Sequence, residues 1–594
     1  MVSPMRELWS SVGSRRAELA GAAALGAVAS LSAVALLGTS AWLIATASTM
    51  PPVLTLSVAA VLVRALALSR ALSRYLERLV GHDAAFRGLT ALRLSVYRTL
   101  ERLTPAGLAS FARGDLLARL VSDVDAALDL PLRIVIPWAQ AVLAAAATVA
   151  FLLWLSPGAG ALVLVMALLA LVAVPWVVGR SVRHAERRMS PARGDMSAAV
   201  VRALDATADL SVFGASASAC RRVHTLDDTL TRLSRRESFA LGLGGGLGTA
   251  LQGAAVVGVL AVTVPAVAAG RLGAVWLAVA ALLPLALFDV LGTLPSSAVA
   301  WQRVRGSADR LADVAALPSP VVDPVHPIPV GERFTGLRLS AVNAGWQGRT
   351  VLHGVSLDIA SGDRVAVVGP SGAGKSTLAA VLMDFLPYEG SVEINGVQLR
   401  DADGDDVRGV VGLLSQQAHI FDTTIADNIR IGDPSADDEA VRIALRRAQL
   451  GDWIERLPAG IETTVGSFGV GISGGERQRI ALARLLVANR PVVVLDEPTE
   501  HLDGPTADAL MQTIERELSD RTTVVITHRL LGLESSTRIV EMQAGRIEAT
   551  GTHEELLARD GWYARQWRSE RDRHDMAVLL AALPVGRGIP VPRA

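Results

Sequence analysis

The chain has 594 residues, 51% of them hydrophobic, 19% charged and 4% aromatic, which is material for several domains with large cores. Its long uncharged apolar runs exclude a disordered, collagen-like or purely soluble protein. Basic and acidic residues number 57 each, so no charge excess argues for nucleic acid. The single cysteine, Cys220, excludes a disulfide framework and a multi-cysteine metal site.

Read from the N-terminus, no charge falls between Leu19 and Val63, between Ile134 and Gly179, or between Ser238 and Gly270. A bilayer span takes about 20 apolar residues, so the first two runs each hold two spans. Turn chemistry divides them at Met50-Pro51-Pro52 and at Ser156-Pro157-Gly158. The third run ends before Arg271, and a further apolar segment covers Leu272 to Leu294, for six spans in all. Arginine marks the orientation. Arg6, Arg15 and Arg16 precede the first span, the stretches 64–133 and 180–237 are arginine-rich, and Arg303, Arg305 and Arg310 follow the last. The other connections carry only Arg271. This asymmetry places both termini in the cytoplasm and predicts a multi-pass membrane protein. The first run is too long for a cleavable signal and lacks a clear small-residue cleavage site. The stretches 64–130 and 180–237 read as helices continuing out of the bilayer.

A proline-rich segment, Leu317-Pro318-Ser319-Pro320 through Pro327-Ile328-Pro329, predicts a linker. The expected organisation is a membrane domain over 1–315, a linker over 316–333, an α/β domain over 334–570 and a tail over 571–594. Within the tail, Met576 to Leu583 suits a short helical turn.

All but one of the basic residues are arginine, and the exception is Lys375. A compact ammonium suits places where a guanidinium fork does not fit. The strand-like Val365-Ala366-Val367-Val368 leads into Gly369-Pro370-Ser371-Gly372-Ala373-Gly374-Lys375-Ser376-Thr377, a P-loop between a strand and a helix. Its glycines let backbone N–H groups close on phosphate oxygens at the positive end of the following helix. Lys375 is expected at the β- and γ-phosphates and Ser376 on magnesium. Val492-Val493-Val494-Leu495-Asp496-Glu497 is a buried strand ending in two carboxylates, costly unless they serve a metal or a proton. Asp496 fits the magnesium side and Glu497 the base that polarises water. His528, after the strand Thr523 to Ile526, is expected at the γ-phosphate.

Ile472-Ser473-Gly474-Gly475-Glu476-Arg477-Gln478 resembles the signature of the ABC ATPases, with Ile for the usual Leu and Glu for the usual Gln. Gln416 matches the Q-loop, Trp346 the aromatic that stacks on adenine, and Glu500-His501-Leu502-Asp503 the D-loop. Phe111 to Asp123 and Leu210 to Gly214 resemble the two intracellular coupling loops of exporters. The resemblance implies a six-span α-helical membrane domain of the type IV exporter fold fused to an α/β P-loop ATPase domain. It implies ATP and Mg2+ as ligands, Ser376, Gln416 and Asp496 on the metal, and catalysis by Lys375, Glu497 and His528. Ser473, Gly474, Gly475, Glu476 and Asp503 would act on nucleotide bound by a second chain. Two departures stand out: Gly466-Ser467-Phe468-Gly469 lacks the glutamate common before the signature, and the D-loop lacks its usual Ser-Ala start.

The run Arg74-Tyr75-Leu76-Glu77-Arg78-Leu79-Val80-Gly81-His82-Asp83-Ala84-Ala85-Phe86-Arg87, with Ser40-Ala41-Trp42-Leu43-Ile44, is similar to the CydC branch of the CydD–CydC exporters. That resemblance implies a heterodimer with a CydD-like half-transporter, a role in cytochrome bd assembly, and a cargo of low-molecular-weight thiols or haem. His82 matches the family's haem-associated histidine, which would make haem b a ligand; the alternative is a polar helix residue at the membrane edge. Arg64, Arg70 and Asp289 are the membrane-depth charges expected to face a cargo cavity, with snorkelling as the alternative for the arginines. Competing functions are a lipid or drug exporter, a haem-binding assembly or redox-sensing factor, and a regulatory half, the last opposed by the intact Lys375, Asp496, Glu497 and His528.

Overall fold

The computed structural model describes residues 16–108, 111, 113–322, 324–416, 418–466, 470–500 and 502–582. The chain divides into two compact units, one of residues 1–103 with 110–317 and one of 104–109 with 318–594. Arg6, Arg15, Ala112, Ser467 to Gly469, His501 and the segment 583–594 lie outside the described residues.

Among the described residues the first unit holds six helices long and apolar enough to cross a membrane: α1 (Arg16–Ala47), α2 (Val53–Leu103), α3 (Arg119–Leu155), α4 (Pro157–Asp205), α5 (Ser216–Ala268) and α6 (Ala274–Ala315). The breaks fall where turn chemistry demands them. Met50 takes a left-handed φ of 53° before the two prolines. Ser156 is extended and Pro157 opens α4, where a missing N–H is harmless. Gly160 lets this corner close, since a Cβ there would lie 2.4 Å from the Leu153 backbone nitrogen. Small residues fill the helix contacts: Ala141, Ala144, Ala159, Ala255 and Ala280 are buried with Leu152, Val163 and Leu287. Lipid offers no hydrophobic gain for helix association, so close backbone approach supplies the dispersion energy instead.

Helices α3 and α4 contain wide π-helical turns at Leu130–Val135 and Leu169–Ala173. Pro131 lies within the first and Pro175 just beyond the second. A proline removes a donor and crowds the carbonyl one turn back, and widening relieves both. The coupling-loop segments form short helices, Arg113–Ala118 and Thr207–Val212. Beyond the spans, the Asp123 side chain accepts from Arg310 Nε at 2.8 Å and from Ser307 Oγ at 3.1 Å, tying α3 to α6.

The second unit contains two main sheets. Strands β1 (Gly336–Trp346), β2 (Arg349–Ala360), β4 (Tyr388–Ile394) and β5 (Val397–Gln398) form an antiparallel sheet in the order β2-β1-β4-β5. The other runs β12-β11-β3-β10-β9-β6, from β3 (Arg364–Val368), β6 (Val411–Leu414), β9 (Val492–Asp496), β10 (Thr522–Thr527), β11 (Arg538–Gln543) and β12 (Arg546–Gly551). A small ribbon pairs β7 (Thr423–Thr424) with β8 (Thr464–Val465). Val367, Val492, Val494 and Ile526 pack into one core with Leu378 and Leu382, while Val493 and Leu495 join another with Ile480 and Leu482. Covered on both faces, the parallel strands read as unbroken apolar runs. Helices α7 (Lys375–Leu382), α8 (Gly474–Ala488), α9 (Gly504–Glu517) and α10 (Trp562–Ala582) complete the framework. Residues 571–582, expected to open a tail, instead continue α10. Arg571 lies over the Trp567 ring and 3.8 Å from Asp575, contacts that a helical spacing brings together.

Asp123 is nearly enclosed, so Asp123→Ala removes the buried carboxylate that Arg310 and Ser307 share. The expected loss is about 3–5 kcal/mol, read as a lower thermal unfolding midpoint of the detergent-extracted protein; an unchanged midpoint would show the pair to be dispensable.

Candidate functional site

Strand register assembles the site. In the parallel sheet Ile526 pairs with Val367 on one side and with Asp496 on the other, and Thr527 pairs with Val368. Strands β3, β10 and β9 therefore end in one row, and the residues that leave it are Gly369, His528 and Glu497. Crevices at such strand ends are where open α/β sheets bind ligands.

The loop Gly369-Pro370-Ser371-Gly372-Ala373-Gly374 wraps this end. A Cβ on Gly369 would lie 2.1 Å from the Met542 carbonyl oxygen, so only glycine fits. Gly374, with φ of 98°, is the residue immediately before α7. Inside the loop, the Lys375 Nζ donates to the carbonyls of Gly369 at 2.8 Å and Pro370 at 3.2 Å, and stands 4.0 Å from Glu497 Oε1. Burial holds this ammonium below the ordinary lysine range, while Glu497 and Asp496 pull it back up. Ser376 Oγ donates to Asp496 Oδ1 at 3.3 Å. Burial raises the Asp496 carboxyl above its ordinary range, opposed by that hydrogen bond. A hydroxyl and a carboxylate paired at the phosphate end of a P-loop form a hard-oxygen set that fits magnesium.

Glu497 takes a left-handed φ of 50°, and its N–H donates to the Ile526 carbonyl at 2.8 Å. A non-glycine residue held there costs about 1 kcal/mol, a strain typical of functional positions. Its other carboxylate oxygen is 3.3 Å from His528 Nδ1, so acid and imidazole are poised side by side. The Trp346 indole donates to Thr377 Oγ1 at 3.2 Å, fixing the ring beside the start of α7.

The structure also shows what sequence reasoning missed. The Gln416 amide donates to Glu500, and the Gln416 carbonyl accepts from Gln478 Nε2 at 3.0 Å. The unusual glutamate at the start of the D-loop was the only signal for this link. Glu570 on α10 accepts from the Leu530 N–H at 2.8 Å, and Arg529 pairs with Asp508, so α9 and α10 brace the segment after His528. No motif marks either residue.

Residues expected to act in trans are engaged within their own chain. Ser473 and Glu476 form a reciprocal cap at the start of α8: Ser473 Oγ accepts from the Glu476 N–H at 3.2 Å and Glu476 Oε2 from the Ser473 N–H at 2.7 Å. Gly474 and Gly475 form the first turn, and Asp503 caps α9 by accepting from the Thr506 N–H at 3.3 Å.

In the membrane unit, a cavity of about 640 Å³ is walled by Val34, Gly38, Trp42, Phe151, Trp276 and Leu283. It lines with apolar groups, and Thr148 on its wall spends its hydroxyl on the Ala144 carbonyl. Arg64 and Asp289 are exposed and line neither this cavity nor the second one described below. Arg70 lies with Arg74 and Arg78 on one face of α2, and His82 is exposed one turn further on. His82 Nδ1 is 2.8 Å from the Arg78 carbonyl oxygen, and its ring lies 6.2 Å from that of Phe86.

Family models match both halves: "ABC transporter transmembrane region" over residues 20–282 and "ABC transporter" over 352–500. The chain is 31% identical over 504 residues to the glutathione/L-cysteine transport system ATP-binding/permease protein CydC of Escherichia coli strain K12, covering 84% of this chain and 87% of that protein. It is 34% identical over 537 residues to the corresponding CydD of Bacillus subtilis strain 168, covering 87% and 91%. A solved bacterial Atm1-family ABC exporter with ATP bound superposes with a TM-score of 0.81 at 28% identity, covering 93% of this chain and 98% of that one.

Gly369→Ala is expected to weaken ATP binding at least about tenfold, because the new methyl must displace backbone. Gly372→Ala, where a Cβ meets nothing within 4 Å although φ is 78°, should lose several-fold less. Titration with a fluorescent ATP analogue ranks the two, and equal affinities would count against the close approach of the loop to Met542.

Proposed function

The chain belongs to the ABC transporter family, in the group of the CydC and CydD transport proteins, and on that premise we propose that it is the ATP-hydrolysing half of a heterodimeric thiol exporter. It is a multi-pass membrane protein with an ABC-type ATPase domain. The proposed cargo is cysteine- or glutathione-like, the proposed partner a CydD-like half-transporter, and the proposed physiological role cytochrome bd assembly. The arginine-rich connections support a cytoplasmic ATPase domain and cytoplasmic termini at the plasma (inner) membrane.

The observation that carries the ATPase reading is the meeting of Lys375, the Ser376–Asp496 pair and the Glu497–His528 pair at one row of strand ends. In the proposed mechanism the loop N–H groups and Lys375 bind the phosphates, with the ammonium exchanging its loop carbonyls for phosphate oxygens. Ser376 and Asp496, with Gln416, would hold Mg2+, which supplies charge neutralisation on the phosphates. Glu497 accepts a hydrogen bond from the attacking water and polarises it, and His528 orients that water and the γ-phosphate. Trp346 offers its ring face to adenine. Ser473 to Glu476 and Asp503 would complete the partner's site, the helix start of α8 presenting N–H groups to anionic oxygens. Val212 and Phe213, at the tip between α4 and α5, are 80% and 82% exposed, a surface suited to docking on the partner's ATPase domain.

Haem is the second reading. His82, with Nδ1 held by the Arg78 carbonyl, would hold the iron through Nε2, and Arg70, Arg74 and Arg78 would suit the propionates. Haem at that position would supply an absorbing metal centre.

Glu497→Gln should lower ATP turnover by about 100-fold or more while ATP binding persists. Phosphate release from the co-purified complex measures it, and undiminished turnover would place the working base elsewhere. Phe213→Asp should leave ATP binding intact but remove stimulation of ATPase activity by glutathione or cysteine; retained stimulation would sink the docking role.

A further inference from the structure

A second cavity of the membrane unit, about 570 Å³, opens between α3, α4 and α6. Its wall contains Trp138, Trp176 and Trp301 together with Arg180, Arg183 and Arg305. Ile134 and Gly179, the first and last residues of the uncharged run, also line it, so it straddles the boundary between apolar and charged chain. Two π-helical turns meet there: Ile134 belongs to the turn Leu130–Val135 of α3, and Leu171 and Val172 to the turn Leu169–Ala173 of α4. Such widened turns open space in a helix surface that a regular helix would close.

The charge pattern is one-sided. Arg303, two residues before Arg305, faces Glu237 at 3.5 Å, Asp129 at 3.7 Å and Glu186 at 3.9 Å. Arg180, Arg183 and Arg305 have no carboxylate within ion-pair distance among the described residues, and Arg180 instead lies 5.9 Å over the Trp176 ring. Arg180, Arg183 and Arg305 are exposed and, beside indoles of which Trp176 is 64% and Trp301 38% exposed, suit an anion joined to an apolar body. A phosphate suits the guanidinium forks, and a hydrocarbon chain suits Trp176, Leu171 and Val172. Glutathione supplies the anion without the apolar body.

We propose that this cavity binds an anionic phospholipid, its phosphate between Arg180, Arg183 and Arg305 and an acyl chain along Trp176 and the widened turn of α4. The site lies on the membrane face that carries the arginine-rich connections, and basic pockets between spans at that level are suited to acidic headgroups. Neither ATP hydrolysis nor the thiol cargo enters the reasoning, so the lipid site stands or falls separately from the transport reading.

The test uses the full chain, extracted with whatever chain co-purifies, in nanodiscs of phosphatidylcholine doped with brominated phosphatidylglycerol or brominated phosphatidylcholine. Subtracting Trp176→Phe from wild type isolates the Trp176 fluorescence. Brominated phosphatidylglycerol is expected to half-quench it at roughly tenfold lower mole fraction than brominated phosphatidylcholine. Combined Arg180→Gln, Arg183→Gln and Arg305→Gln should abolish that preference, and Arg180→Gln or Arg305→Gln alone should reduce it, which covers failure of the triple variant to fold. Equal quenching by the two lipids, or an unchanged preference in the single variants, overturns the proposal. Relief of quenching by added glutathione also overturns it, by assigning the cavity to an anionic cargo.

Discussion

Everything at the nucleotide site depends on the parallel pairing of β3, β10 and β9. Because Ile526 sits level with both Val367 and Asp496, three separate chain segments leave the sheet in the same row. A one-residue slip in either pairing would turn side chains to the opposite face and withdraw Glu497 from Lys375. The buried faces of these strands make such a slip expensive, since Val365, Val367, Val494 and Ile526 would trade core contacts for mismatched ones. Core packing thereby enforces the geometry of chemistry that none of those apolar residues performs.

That geometry places like and unlike charges where each shapes the other. Lys375 is buried between loop carbonyls and the Glu497 carboxylate, while Asp496 is buried beside Ser376. Burial alone disfavours both charged forms, and their mutual attraction opposes it. Phosphate and a divalent cation are the pair of opposite charges that satisfies both groups at once. The left-handed Glu497 and the bracing of the next loop by Asp508 and Glu570 point the same way: the framework spends stability to hold polar side chains in place.

The membrane unit obeys a different constraint. Alanine and glycine at the helix contacts bring backbones close, and the uncharged runs leave most charge to the stretches between and beyond them. In those stretches arginine takes two forms. Arg303 and Arg310 are tied to acids on other helices and act as fasteners, whereas Arg180, Arg183 and Arg305 face a cavity with no carboxylate within ion-pair distance among the described residues. Composition alone does not distinguish these groups, because the difference lies in which neighbours a helix rotation brings within 4 Å.

Local patterns made much of this legible. Uncharged runs with Met50-Pro51-Pro52 and Ser156-Pro157-Gly158 between them set six spans, since bilayer thickness and proline chemistry act on contiguous residues. The lone Lys375 inside a glycine-rich loop, and the acids ending an apolar strand, marked the candidate nucleotide site because those requirements are also local. Tertiary structure alone decided the rest. Gln416 meeting Glu500, Glu570 reaching the Leu530 backbone, the continuation of α10 to Ala582, and the gathering of three arginines beside three indoles all depend on packing between distant segments. Periodicity and spacing along a chain carry no record of such meetings; they are fixed by register and helix rotation, which only the assembled cores determine.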